Sequence, residues 1–318
     1  MSKKHIAIIL PCYNEEENIN EIYSQIYKVF EKELSQYSWS VTFVEDGSKD
    51  QTVPIIRALS VKHNNVQLVS LSRNYGHQIS LLAAMALVPS ESDCAITMDA
   101  DLQHPPQMLP ELIRFWEDGN KIVFTEKIDT EDISFVKSIA SKLYYKIFEY
   151  LTEVDLPPGA ADFRLYDKHV VDELLRYGEH GIFLRGIVAS MGFKRVIIPY
   201  KAAKRFAGTR SYSYKRMLKL AIDGIYSYST IPLKLAIHVG VSFSVLSLLY
   251  ALYAVYSWVS GGDTPPGWAS MTAGLFFTGG LTIFFIGIIG SYIGRIFIQT
   301  KNRPLYHVEE YISVENRK

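Results

Sequence analysis

Apolar and polar positions in the first hundred residues come in blocks. Apolar runs at Lys4–Leu10, Ser40–Val44, Val66–Leu71 and Cys94–Met98 are each followed by a polar cluster and then a stretch of helical character. The clusters are Pro11–Ile19, Glu45–Thr52, Ser72–His77 and Asp99–Pro105. Continuous apolar runs bounded by turn residues predict strands buried on both faces, hence an α/β fold with a mostly parallel sheet flanked by helices. Any one cluster is explained as an N-cap with turn chemistry. Four of them at the same end of four successive strands predict a binding edge, since open α/β sheets take ligands at the carboxyl ends of their strands.

The pattern changes near Pro232. Residues 233–258 and 269–296 are almost wholly apolar, each longer than the ~20 residues that cross a bilayer as a helix. They lack the polar face that a buried core helix keeps, so the expectation is a two-helix transmembrane hairpin. Its connecting loop, Gly261–Gly267, carries Asp263 and neither Lys nor Arg, whereas Lys215, Arg216, Lys219, Lys234, Arg295, Lys301 and Arg303 flank the pair. The positive-inside rule puts both ends in the cytoplasm, including the tail 299–318. His238, within the first span, reads as a packing or interhelical hydrogen-bonding residue. Two segments mix apolar and basic positions at helical spacing: Phe135, Ile139, Leu143, Ile147 and Leu151 with Lys137, Lys142 and Lys146, and a stretch within 211–231. Both suit interfacial amphipathic helices, although a globular surface helix also fits the first.

Composition adds little. The 318 residues include 33 basic and 33 acidic side chains, so no net charge points to nucleic acid. Cys12 and Cys94 fall in or beside predicted strands and read as small core hydrophobes of a reducing compartment. The apolar stretch at the N-terminus is too short for a signal peptide, which keeps the first domain cytoplasmic.

The densest chemistry is Asp99-Ala100-Asp101-Leu102-Gln103-His104-Pro105. Two carboxylates one residue apart at a strand end suit a hard divalent cation that leaves coordination sites for a diphosphate. With Pro11-x-Tyr13-Asn14-Glu15-Glu16 and Glu45-Asp46-Gly47-Ser48-x-Asp50-x-Thr52 in this order, the chain resembles the inverting GT-A glycosyltransferases of family 2. Among these it is most similar to the polyprenyl-phosphate branch, with its dolichol-phosphate mannosyltransferases and bacterial bactoprenol glucosyltransferases. The motifs cover about the first 230 residues.

The resemblance implies site residues. Asp101, Gln103 and Asp99 would meet a Mg²⁺ or Mn²⁺ ion; Pro11, Tyr13 and Glu15 would line the base and ribose pocket; Asp46 would accept a hydrogen bond from the base. Lys127 stands about where an arginine contacts the diphosphate, and Glu45 replaces a usual Asp. Gly159–Tyr166 matches the acceptor motif, with Asp162 at the position of the proposed base. A lipid monophosphate is already ionised near neutral pH, so Asp162 could instead orient the acceptor or touch the donor sugar, or be a cap or partner of Arg164. Arg205–Ser213 resembles a phosphate-binding segment in which Arg210 and Ser211 depart from the usual hydroxyl and lysine. Arg205, Arg210, Ser211 and Lys215 are the acceptor-phosphate candidates, an ordinary basic membrane-adjacent patch being the alternative.

The expected organisation is a cytoplasmic GT-A domain over 1–210, an interfacial helix over 211–231, the hairpin over 232–298 and a cytoplasmic tail. The expected activity is transfer of one sugar, best matched by glucose from UDP-glucose, to undecaprenyl or another polyprenyl phosphate at the inner face of the plasma membrane. The product would be β-linked if the donor is α-linked. The family also implies a homo-oligomer, a tetramer among the options. Two rivals are a processive polysaccharide synthase, which would want a Gln-x-x-Arg-Trp segment and more membrane helices, and a noncatalytic scaffold with a retained nucleotide-binding domain.

Overall fold

The computed structural model describes residues 3–128, 160–179, 183–201, 230–260 and 267–313. The segments 135–151 and 205–222, with Arg205, Arg210, Ser211 and Lys215, and the loop 261–266 lie outside the described residues. The chain divides into two units, one of residues 1–213 with 304–318 and one of residues 214–303.

The first unit is built on one eight-stranded sheet: β1 His5–Cys12, β2 Ser38–Glu45, β3 Val66–Leu71, β4 Cys94–Thr97, β5 Ile122–Ile128, β6 Ala160–Asp167, β7 Arg195–Lys201 and β8 Val308–Ile312, in the order β7-β5-β6-β4-β1-β2-β3-β8. β4, β1, β2 and β3 run parallel, as the four apolar runs predict. β1 and β3 are buried at every position. Helices α1 (Ile19–Lys32), α2 (Thr52–Lys62) and α3 (His77–Met85) follow the first three strands, and α4 (Leu109–Glu117) follows the fourth after a short turn. α1 buries Ile19, Ile22, Tyr23, Ile26, Val29 and Phe30, the one-sided spacing of a helix lying on a sheet. Cys12 and Cys94 are free and buried in this core.

Two features position the site. β6 runs antiparallel to β4, with Thr97 opposite Arg164, so the start of β6 meets the carboxyl end of β4. Further along, Asp167 ends β6, caps α5 (Lys168–Leu174) through the His169 N–H, and accepts from Trp116 Nε1 of α4 and Lys121 Nζ, both at 2.9 Å. The second feature departs from expectation. Part of the sequence read as a tail returns as β8, which pairs antiparallel with β3 and closes that edge.

The second unit contains α7 (Ile231–Val259) and α8 (Trp268–Thr300); α6 (Leu184–Ser190) belongs to the first. At 1.5 Å per residue, their 29 and 33 residues reach about 43 and 50 Å, more than the ~30 Å of a hydrocarbon core. Leu248, Tyr253, Phe284 and Ile286 are exposed. Ser242, Ser244, Thr278, Thr282 and Ser291 donate their hydroxyls to carbonyls four residues back, which satisfies them within the helix. Phe243 of α7 stacks on Phe277 of α8.

Candidate functional site

The polar clusters converge at the carboxyl ends of β1–β4 as a network of turns. Asn14, in the left-handed region at φ 54°, donates its N–H to Ser48 Oγ at 2.9 Å, and the Glu15 N–H donates to Thr52 Oγ1 at 2.9 Å. Glu45 accepts from the Ser48 N–H and from Ser70 Oγ. Gly47 has φ +72°, and a Cβ there would stand 2.6 Å from the backbone of Arg73 and Asn74, so only glycine lets the second and third clusters close on one another. Beside them lies a cleft of ≈ 620 Å³ whose walls include Tyr13, Ser48, Lys49, Arg73, Asn74 and Glu309.

The residues expected around a donor are placed unevenly. Tyr13 is 43% exposed and lines the cleft. Pro11 is buried within β1, and Glu15 is tied to the Asn18 amide. Asp46 is buried; its two oxygens accept the N–H groups of Tyr75 and Gly76 at 2.7 and 2.8 Å. Burial raises its pKa, and those two amides pull the other way. As folded, Asp46 braces the loop into α3. Lys127 is exposed near the end of β5.

The Asp-x-Asp turn is held by a residue the sequence reading left unassigned. His104 accepts the Asp99 N–H at Nδ1 (2.8 Å) while its ring stacks on Phe163 of β6. Asp101 is 6% exposed and accepts the Gln103 N–H at 3.1 Å, and Leu102 between them has φ 63°. The Asp99 side chain is 37% exposed.

Asp162 sits where β6 meets this turn. Its carboxylate is gripped by Arg185 of α6 in two places, Nε at 2.9 Å and Nη2 at 2.8 Å. His77 Nε2 lies 3.2 Å from the same carboxylate and 3.9 Å from Asp99. Arg164, wholly buried, brings Nη2 to 3.5 Å from Asp162 Oδ1. Burial alone would raise the Asp162 pKa, but Arg185, His77 and Arg164 hold it well below the carboxylate range. Burial likewise opposes charge on His77, yet Asp162 and Asp99 prevail and lift it to about 9. Neither Arg185 nor His77 stood out in sequence. His77 closes the third polar cluster, which was a signal; Arg185 lies 23 positions from its partner in an apolar stretch and gave none.

Residues 7–175 match the model for glycosyl transferase family 2, and residues 231–296 match that for the GtrB C-terminal hairpin. The chain belongs to glycosyl transferase family 2, and it is a glycosyltransferase. It is 36% identical over 317 residues to the uncharacterized glycosyltransferase YkcC of Bacillus subtilis, covering 99% of this chain and 97% of the relative. It is 32% identical over 305 residues to the bactoprenol glucosyl transferase of Shigella phage SfII, covering 96% and 97%. The mannosyltransferase PcManGT from Pyrobaculum calidifontis, solved with GDP-Man and Mn²⁺, is similar at 16% identity and TM-score 0.45, over 95% of this chain and 88% of that one.

Proposed function

We propose that this glycosyltransferase moves a single sugar from a sugar nucleotide, UDP-glucose in the first instance, to a polyprenyl phosphate at the cytoplasmic face of the membrane. The observation that carries this reading is the convergence, at one sheet edge, of a nucleotide-sized cleft, an Asp-x-Asp turn and an arginine-held carboxylate. The lipid acceptor is supported by the full-length likeness to a bactoprenol glucosyl transferase and by the two long apolar helices. The same features favour a lipid-directed enzyme over a noncatalytic scaffold.

Tyr13 offers an aromatic face to the base. Pro11 and Glu15 shape the loop behind it, and Asp46 acts through the Tyr75–Gly76 amides as a brace. Asp99, Asp101 and Gln103 supply two carboxylates and an amide, a hard-oxygen set short of a full shell, which fits a divalent ion completed by water and diphosphate. Such an ion, when bound, neutralises charge developing on the leaving diphosphate. Lys127 is a further candidate for that charge. Asp162 stays ionised between Arg185, His77 and Arg164. Because the acceptor phosphate is itself ionised, Asp162 orients reactants and need not take a proton. Arg205, Arg210, Ser211 and Lys215 remain the proposed phosphate-binding set. Inversion, cytoplasmic termini, insertion in the plasma membrane and a homo-oligomer complete the proposal.

The test is incubation of the full-length protein in detergent with undecaprenyl phosphate, Mg²⁺ or Mn²⁺ and a panel of sugar nucleotides, reading the lipid product by mass spectrometry. One glycosylated lipid is expected from one donor, with none from Asp101→Asn or after chelation. Product that survives chelation overturns the metal assignment, and a soluble polymer in place of a monoglycosyl lipid overturns the acceptor.

A further inference from the structure

The cleft beside Tyr13 has an outer wall that none of the family motifs supplies. It comes from β8, which brings Glu309 and Glu310 to the same space as Ser48, Lys49 and Arg73. Ordinary strand alternation would turn two successive residues to opposite faces. Here the register slips: Ser70 faces Glu310 and Leu71 faces Val308, which leaves Glu309 as the extra residue of a bulge. Bulges re-aim side chains, and this one lets both carboxylates border the cleft. Glu310 is taken by Arg57 of α2, Nε to Oε1 at 3.1 Å and Nη2 to Oε2 at 2.7 Å. Glu309 is exposed and makes no ion pair among the described residues. The Ser72 N–H donates to the His307 carbonyl at 3.0 Å and pins the strand on the other side of the bulge.

We propose that β8 is the outer wall of the nucleotide cleft and that Glu309 recognises the nucleoside half of the donor, with Arg57 and Glu310 as positioning residues that hold the strand in register. This rests on reading the cleft as the donor site. An ionised carboxylate only accepts hydrogen bonds, so its partners are ribose hydroxyls or base N–H groups. It repels phosphate oxygens and thereby turns the diphosphate towards the Asp99–Asp101 turn. The Arg57–Glu310 pair is half-exposed, and pairs of that kind contribute little to stability. Its effect is on where Glu309 stands.

The experiment measures binding of UDP, GDP and ADP to full-length protein in detergent with Mg²⁺, alongside steady-state constants for donor and lipid. For whichever nucleotide the native protein binds best, Glu309→Gln is expected to weaken binding about tenfold, the worth of one hydrogen bond to a charged group. The donor KM should rise in step while lipid KM and melting temperature stay put. Arg57→Glu should weaken nucleotide binding, and Arg57→Glu with Glu310→Arg should recover most of it. Native-like affinity in Glu309→Gln overturns the proposal, as does loss in Arg57→Glu without recovery in the double variant. A native protein that binds none of the three nucleotides refutes the donor reading itself, a result distinct from either.

Discussion

Arg185 and Asp162 show how a single pair sets the character of the site. A guanidinium gripping both oxygens leaves the carboxylate ionised and fixes its plane. Arg185→Ala should lower turnover at saturating donor and lipid about ten- to a hundredfold, the worth of a charge-assisted contact. Arg185→Lys should restore only part, because an ammonium does not reproduce the fork. Initial rates with a melting curve as folding control decide it, and unchanged turnover in the alanine variant would remove Asp162 orientation from the mechanism. At this scale the sequence was legible wherever function and local turn chemistry coincide. Asp99, Asp101 and Tyr13 stand in polar clusters that interrupt apolar runs. Arg185 is invisible by the same logic, since its partner is supplied by the pairing of β6 with β4 and not by its neighbours along the chain.

Between elements, Asp167 joins β6, α4, α5 and the start of β5. Burial pushes its pKa up, but Trp116 Nε1–H, Lys121 and the His169 amide pull it below the usual value. A depressed folded pKa means stabilisation that is present above the unfolded value of about 3.9 and lost as pH falls through the folded one. Asp167→Asn should therefore cost about 1–2 kcal/mol at pH 7. The gap between variant and native melting temperatures should narrow as pH falls below about 4, and a constant gap from pH 7 to pH 3 would show that charge plays no part. β1 to β4 were legible because parallel strands buried on both faces are apolar throughout. β8 was not: Val308-Glu309-Glu310-Tyr311-Ile312 reads as polar tail because an edge strand has one open side and carries charge there.

For the molecule as a whole, the hairpin was the plainest signal, two helices whose composition leaves no polar face. Cysteine introduced at position 263 in intact cells should react with a membrane-impermeant reagent added from outside. Reaction only after the cells are opened would reverse the proposed orientation and with it the side on which sugar is transferred. The proposed acceptor segment around Arg205 and Arg210 rests on its motif in the sequence, and its residues lie outside those described.

Chain order gives β8 one more consequence. A ribosome finishes β1 through β7, then both apolar helices, and only afterwards the five residues that cover β3. Until then β3 presents a row of unpaired amides and carbonyls, the kind of edge on which chains aggregate. Only the seven residues 301–307 separate Thr300 from Val308, so along the chain that covering strand follows soon after the second apolar helix. The stretch that emerges after both apolar helices is thus the one that seals the sheet and walls the cleft beside Tyr13, so a protein cut short before β8 is left with an open β3 edge.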